Sequence, residues 1–248
     1  MIRSYAITDI GRRRQLNQDF IYLSETSIGN LPNVFIVADG MGGHNAGDYS
    51  SRCAVETVVD AIGASFDKSP ARILGGAIEK ANTIIRQRAK EDLAYSGMGP
   101  TMVAATCIGR YLEVANVGDS RLYVIRDKIE QITQDHSLVE EMVRMGGIDK
   151  ESARNHPDKN IITRAIGARD DIEPDFFSRE LQPGDMVLLC SDGLTNMVED
   201  EAIYRILKED ISLESRVEEL VETANRNGGK DNISVIVIEP LADEVEHD

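Results

Sequence analysis

The sequence has few cysteines, and their arrangement excludes two common kinds of site. Only 3 occur among 248 residues, at Cys53, Cys107 and Cys190. Their number is odd, their spacing is wide and apolar residues surround them, so they indicate neither a disulfide framework nor a zinc knuckle. We expect three buried, reduced thiols.

Positive charge is also scarce. The chain carries 27 Lys and Arg against 43 Asp and Glu, a formal net charge of −16. This balance argues against a broad basic face of the kind that binds nucleic acid through its phosphates. We therefore expect no nucleic-acid partner, and an acidic surface that attracts cations.

Long apolar runs are missing as well. No stretch approaches the ~18 apolar residues of a membrane-spanning helix, and no basic segment followed by an apolar one opens the chain. We expect a cytoplasmic protein without a membrane partner, and a monomer.

Internal repeats and Pro-rich linkers are absent too, which favours a single domain over residues 1–240. The 42% of hydrophobic residues is enough for a substantial core. Between residues 145 and 178, paired glycines and a cluster of acids predict a flap on the surface. Residues 241–248 form an acidic tail with too little apolar content to pack.

Short apolar or alternating runs predict strands at 5–9, 33–39, 102–108, 112–117, 122–126, 186–191 and 233–238. Turn residues near Gly109 and at Gly118 predict hairpins, and therefore antiparallel pairing. Apolar residues at helical spacing predict core-facing helices around 55–66, 74–85 and 213–224. Strands grouped between helical pairs favour an α+β fold over a doubly wound parallel sheet.

Aspartates stand at the ends of these apolar runs. Asp39, Asp119 and Asp192 follow such runs, and Asp231 precedes one. A single Asp-Gly is usually a turn, but four acids at the rim of one sheet system would repel one another unless a cation lay between them. Hard divalent cations take carboxylates and waters as ligands, and adjacent glycines leave room for both. The pattern predicts an oxygen-rich metal site.

Competing motifs fail when they are checked. A dinucleotide fingerprint would need a glycine where Asn45 stands, and GGKD at 228–231 continues with Asp where a phosphate loop needs Ser or Thr. His136 lies between Asp135 and Ser137, but consecutive side chains point in different directions and cannot form a catalytic relay. A turn or helix cap explains that tripeptide better.

Eight motifs in order resemble the metal-dependent Ser/Thr protein phosphatases of type 2C, in their compact bacterial form. They are RQLNQD (14–19), VADGMGGH (37–44), GPTMVAA (99–105), ANVGDSR (115–121), TQDHS (133–137), ARNHPDKNIITRAIG (153–167), LLCSDGL (188–194) and GGKDNISVIV (228–237). They cover nearly the whole chain. The resemblance implies an α+β fold with a central β-sandwich of two antiparallel sheets flanked by pairs of helices (α-β-β-α), and a flap insertion.

The resemblance also implies two Mn²⁺ or Mg²⁺ ions at one edge of the sandwich, and a third, more weakly bound cation. Asp39 would bridge the two main ions and Gly40 would contribute its carbonyl. Asp192 and Asp231 would complete the first ion's ligands. Asp119 matches the acid that, together with Asp192, holds the third.

Four further positions take roles from the same resemblance. Arg14 corresponds to the phosphate-binding arginine, and its planar fork of donors suits that task. Gln18 stands where animal relatives carry a metal-reaching glutamate, so Gln18 and Asp19 would act around the metals indirectly. His44 is the candidate general acid, with a metal-bound water as the alternative, because animal members place their histidine two residues after the bridging acid instead of five.

The implied reaction is hydrolysis of phosphoserine and phosphothreonine in proteins by a metal-bridged hydroxide. The partners would be phosphorylated proteins, with the enzyme opposing a Ser/Thr kinase and acting on that kinase's substrates. The alternative is a phosphoprotein-binding regulator that keeps the fold without turnover. The presence of Asp39, Asp192 and Asp231 favours the enzyme.

Overall fold

The computed structural model describes residues 2–42 and 46–241. Its strands are β1 (Arg3–Asp9), β2 (Asp19–Ser24), β3 (Val34–Met41), β4 (Gly99–Pro100), β5 (Met102–Ile108), β6 (Tyr111–Val117), β7 (Arg121–Ile125), β8 (Ile129–Gln131), β9 (Asp175–Glu180), β10 (Met186–Cys190) and β11 (Ile233–Glu239). Its helices are α1 (Ala46–Gly63), α2 (Pro70–Glu91), α3 (Leu138–Arg144), α4 (Lys150–Arg154), α5 (Asp192–Thr195), α6 (Asp200–Leu207) and α7 (Leu213–Arg226). No helix within these ranges is both long and apolar enough to cross a membrane.

The strands form two sheets that pack face to face. One has the order β1-β11-β10-β7-β8, and the other the order β2-β3-β5-β6-β9 with β4 beside β3. The pairings within both sheets are antiparallel. The α+β fold with two antiparallel sheets is therefore confirmed.

Alternation along the strands produces the layers. In β3, Phe35 and Val37 pack between the two sheets, whereas Ile36 and Ala38 face the helices on the outer side. Helices α1 and α2 cover that outer face, and α5, α6 and α7 cover the outer face of the other sheet. Three buried apolar clusters thus fill a helix–sheet–sheet–helix arrangement.

The predicted helical stripes are buried, with one exception. Val55, Val58 and Ile62 pack against the sheet that contains β3, but Phe66 is 96% exposed. The reason is that α1 ends at Gly63, so Phe66 lies in the connection to α2. Among the cysteines, Cys107 and Cys190 are buried and free as expected, whereas Cys53 is only half-buried.

The turn at Gly118 differs from its prediction. The hairpin between β5 and β6 is present, but Gly118 carries the chain from β6 in one sheet to β7 in the other. Its φ is +104°, and a Cβ there would lie 2.5 Å from the Thr101 Cβ, so only glycine fits. A sheet-to-sheet crossing and a hairpin turn share the same local sequence signal.

Strands β2, β4, β8 and β9 were not predicted. Strands β2, β8 and β9 lie at the edges of their sheets. Their residues are partly exposed, so apolar and polar residues do not alternate clearly along them. The predicted flap also ends too late, because residues from Asp175 onward belong to β9 and pair with β6. The tail at 242–248 lies outside the described residues.

Candidate active site

The acids singled out in the sequence gather at one end of the sandwich. Asp39 is the direct cross-strand partner of Asp19 in the β2–β3 pair. Asp192 opens α5 immediately after β10, and Asp231 lies just before β11, the neighbour of β10. Asp119 follows the crossing at Gly118, before β7, which also pairs with β10. Antiparallel pairing brings these strand ends together although their sequence positions span nearly the whole chain.

The carboxyl groups perturb one another. Those of Asp39 and Asp192 lie within hydrogen-bonding reach, and burial with repulsion from Asp231 raises the pKa of Asp192 to about 6. Asp39 keeps some solvent contact, yet enclosure by protein, followed by repulsion from Asp19 and Asp192, raises its pKa well above the usual range. Burial and the charge of Asp192 likewise raise the pKa of Asp119. A cation between them would remove this repulsion.

Asp19 is more deeply buried than the other acids, at 5% exposure. The Ser191 hydroxyl donates a hydrogen bond to its Oδ2 at 2.7 Å, but burial still raises the pKa of Asp19 to about 7. Oδ1 of Asp19 and Oδ1 of Asp192 are both buried and have no hydrogen-bond partner within the described ranges. Buried oxygens without donors are suited to a hard cation, directly or through water.

The carboxylates are not already closed around a metal position. Within residues 2–42 and 46–241, no group of three or more His, Cys, Asp or Glu side chains is placed as it stands to hold a metal ion. Protein donors occupy some of the oxygens instead: Asn196 donates to Asp192 Oδ2 at 2.8 Å, and Arg14 donates to Asp231 Oδ2 at 2.7 Å. The donor set fits Mn²⁺ or Mg²⁺ in chemistry, and side-chain rotation would be needed for it to converge.

Gly40 lies where backbone approaches closely. A Cβ at this position would come 2.1 Å from the Gly47 carbonyl oxygen and 2.5 Å from that of Gln18. The Gly40 N–H donates to the same Gln18 carbonyl at 3.0 Å. No residue larger than glycine fits between the start of α1 and the loop before β2. This is consistent with a backbone position next to a ligand.

Asn232 positions the loop that carries Arg14. Its Nδ2 donates to the carbonyls of Ile10 and Leu16, both at 3.0 Å, and its Oδ1 accepts from the Gln18 N–H at 2.8 Å. These three bonds hold the loop against the start of β11, with Arg14 beside Asp231. The side chains of Arg12 and Arg13 are exposed, while their N–H groups donate to the Gly229 carbonyl.

The histidines considered in the sequence differ in their positions. His44 lies outside the described residues. Nδ1 of buried His136 accepts from the Gly118 N–H at 3.0 Å, and its Nε2 lies 3.0 Å from Asp175 Oδ2. Ser137 caps α3 by accepting from the Glu140 N–H. The cap interpretation of this tripeptide is therefore confirmed, and His136 braces the crossing at Gly118.

Sequence reasoning missed three residues that hold the acids and the Arg14 loop in place. Ser191, Asn196 and Asn232 bond to Asp19, to Asp192 and to the Arg14 loop respectively. A signal was available, because Ser191 and Asn232 each adjoin a candidate ligand at the end of an apolar strand. Which group each of them contacts depends on pairing between segments that are distant in sequence.

The geometry agrees with comparison to known families. The family model for protein phosphatase 2C matches residues 10–237 of the chain. The chain belongs to the protein phosphatase 2C family. It is a Ser/Thr protein phosphatase of this family, and its recognition from the eight motifs is confirmed.

Relatives of this protein phosphatase 2C match it over almost their whole length. The serine/threonine phosphatase stp of Listeria monocytogenes is 42% identical over 237 residues, 94% of this chain and 93% of the relative. The solved structure of the S. agalactiae serine/threonine phosphatase has a TM-score of 0.90 and 36% identity, covering 97% of this chain and 100% of that one. The catalytic domain of the phosphatase PstP, solved in complex with 2 manganese ions, has a TM-score of 0.85 and 32% identity, covering 96% of this chain and 97% of that one.

Proposed function

We propose that this phosphatase hydrolyses phosphoserine and phosphothreonine in other proteins with Mn²⁺ or Mg²⁺ ions as cofactors. Asp39, the Gly40 carbonyl, Asp192 and Asp231 would hold two ions, and Asp119 with Asp192 a third, weaker one. The observation that carries this proposal is the gathering of four half-buried acids with Arg14 at one end of the sandwich. The two manganese ions in the PstP structure support the choice of metal.

Cations bound by these acids would supply a water acidic enough to yield hydroxide at neutral pH, and would offset the charge of the phosphoryl oxygens. The protein's contribution is a fixed frame. Ser191 holds Asp19, and Asn196 orients Asp192. Asn232 fixes the loop that carries Arg14. A fixed frame lowers the reorganisation needed when charge develops in the transition state.

Arg14 would bind the phosphate of the substrate. Its guanidinium is paired with Asp231 at 2.7 Å, and the side chain is half-exposed, so it can turn outward to an incoming phosphate. A planar guanidinium can hold two phosphoryl oxygens at once, which orients the phosphorus for in-line attack. Asp231 would then be free to act as a metal ligand.

His44 would protonate the leaving serine or threonine oxygen, with water as the alternative acid. The described histidines are poorly suited to this step. His136 is engaged at both ring nitrogens, and the Nδ1 of His156 accepts from the Asp158 N–H in the flap. The partners proposed for the enzyme are phosphoproteins and the Ser/Thr kinase that it opposes, with the enzyme acting as a monomeric domain over residues 1–240.

The test is hydrolysis of a small aryl phosphate and of a phosphothreonine peptide, each with added Mn²⁺, with Mg²⁺ and with chelator. We expect turnover of both substrates with metal and a return to the blank rate with chelator. Binding of the phosphopeptide without turnover at any metal concentration would contradict the enzyme and support a regulator that has lost catalysis.

A further inference from the structure

Three cations lie close together on one side of the acid cluster. They are Arg154 at the end of α4, Lys159 in the following loop and Lys230 beside Asp231. Partial burial, followed by repulsion from Arg154 and Lys230, lowers the pKa of Lys159, and the charge of Asp192 opposes this shift. In a chain with a net charge of −16, such a group of like positive charges is unusual. Asp192 offsets part of this charge at Lys159, and a bound anion would offset more of it.

Lys159 connects this group to the acids. Its Nζ donates to Asn196 Oδ1 at 3.0 Å, and Asn196 Nδ2 donates to Asp192 Oδ2 at 2.8 Å. The ammonium group therefore lies two hydrogen bonds from a proposed metal ligand. The side chains of Arg154 and Lys230 make no hydrogen bond or ion pair with any residue in the described ranges. Their charges are free to meet a ligand.

A cavity of about 470 Å³ adjoins two of these cations and two of the clustered acids. Asp119 and Asp192 line one part of it, and Arg154 and Lys159 line another. A substrate whose phosphate reaches the acid cluster would lay neighbouring side chains into this space.

Most of the other acids in the cavity wall are engaged. Asp135 is paired with Arg121 at 2.7 Å, and Asp200 accepts from the Tyr123 hydroxyl at 3.3 Å. Glu140 is the remaining acid of the lining. Of the cations in this wall, Arg121 is occupied by Asp135, whereas Arg154 and the remaining donors of the Lys159 ammonium are available to a ligand.

We propose that Arg154, Lys159 and Lys230 form a subsite for an anionic side chain next to the phosphorylated residue, so that the enzyme prefers acidic phosphopeptides. This rests on the proposed phosphatase function and names its substrate class. The anion is a carboxylate or a second phosphate of the same peptide, since both pair with Lys and Arg through charge-assisted hydrogen bonds.

The experiment measures kcat/KM for three phosphothreonine peptides that differ only beside the phosphoresidue. One carries alanines there, one carries aspartates and one carries a second phosphothreonine. We expect the aspartate peptide to be preferred over the alanine peptide, with the preference falling as ionic strength rises. The diphosphorylated peptide shows which anion the subsite takes better.

Charge-reversal variants locate the subsite. Arg154→Glu and Lys230→Glu should each reduce the aspartate-to-alanine ratio about fivefold or more, the scale of one lost surface ion pair combined with new repulsion. Lys159→Met should reduce it similarly. Because the ratio compares two peptides on one variant, any general loss of turnover cancels. Lys80→Glu, in the exposed face of α2, is the matched control and should leave the ratio unchanged.

Equal kcat/KM for all three peptides in the wild-type enzyme would overturn the subsite, as would an unchanged ratio in both charge-reversal variants. Hydrolysis of the aryl phosphate distinguishes an error in the subsite proposal from an error in the proposed function. If metal-dependent hydrolysis persists while the peptides are not distinguished, only the subsite is wrong. If hydrolysis itself is absent, the phosphatase proposal fails first.

Discussion

The guanidinium of Arg14 lies 2.7 Å from the carboxylate of Asp231, in an ion pair whose side chains are 48% and 33% exposed. At such exposure an ion pair contributes no more than about 1 kcal/mol. The pair is therefore weak enough to exchange, with Arg14 turning to a phosphate and Asp231 to a cation. This contact joins the residue proposed to bind the phosphate, Arg14, to a proposed metal ligand, Asp231.

Replacing Arg14 tests the phosphate-binding role. Arg14→Ala should lower kcat/KM for phosphate monoesters by about 10²–10³, the range for loss of one preorganised donor to a transition state. Arg13→Ala is the matched control, because the Arg13 side chain is exposed and is bonded only through its backbone. Steady-state kinetics measures both variants. Equal losses in the two would remove the special role of Arg14.

Asp39→Asn tests the proposed role of Asp39 as a bridging ligand. The amide keeps the shape of the side chain but not its charge, so we expect turnover at the chelated blank rate with the thermal midpoint retained. Asp60→Asn, at an exposed position of α1, should behave as wild type. Near-normal rates for Asp39→Asn at saturating Mn²⁺ would show that Asp39 is not a bridging ligand.

Removal of the Asp119 carboxylate should weaken the binding of the third, weaker cation only. In Asp119→Ala we expect slower turnover and a weaker dependence on added metal, with two Mn²⁺ ions still bound per chain in titration calorimetry. The reason is that Asp39, Asp192 and Asp231 remain in place. Loss of both tight sites in this variant would contradict the peripheral assignment.

The buried acids make stability depend on pH in a defined direction. The pKa of Asp19 rises from 3.8 to about 7 in the folded protein, so the folded state holds a proton that the unfolded state releases. With chelator present, unfolding free energy should therefore fall as pH rises from about 4 to about 7. Urea titrations at pH 5 and pH 8 measure the difference.

Asp19→Asn should reduce that fall and raise stability at pH 8 in chelator. The amide oxygen can still accept from Ser191, so the frame is retained. Added Mn²⁺ should raise the wild-type midpoint at pH 8 more than at pH 5, since protons compete for the same oxygens. If the wild-type protein is more stable at pH 8 than at pH 5 in chelator, the pH dependence has the opposite sign and the raised pKa of Asp19 is refuted.

Asn82 anchors the base of the flap to α2. Its side chain is 1% exposed; Oδ1 accepts from the Gly167 N–H at 2.6 Å, and Nδ2 donates to the carbonyls of Arg169 and Asp170, both at 3.1 Å. Asn82→Ala removes three hydrogen bonds from a buried side chain to part-buried backbone groups, which should cost about 3 kcal/mol in unfolding free energy. Asn30→Ala, exposed with a bond to the Asp67 carbonyl, should cost no more than about 1 kcal/mol. Urea denaturation compares them, and equal costs would exclude the anchoring role.

Much of the fold could be predicted from local pattern. The buried strands around Phe35, Val103 and Val187 are continuous apolar runs, and α2 and α7 show clear apolar stripes, so periodicity was a reliable guide. Edge strands such as β2 and β9 were missed because one side of each faces solvent and the pattern is mixed. Phe66 was misassigned because an apolar residue at helical spacing can still lie beyond the end of the helix.

The sequence alone determined the chemistry available to this protein: carboxylates at the ends of apolar strands, glycines beside them and an arginine ahead of them. Only the tertiary structure decided how these groups meet. The crossing at Gly118 places Asp119 with the other acids, and Asn232 brings Arg14 to Asp231. Local sequence sets which way a strand's side chains point and where its turns lie. The pairing of distant strands is set by burial across the whole sandwich, which no short stretch contains.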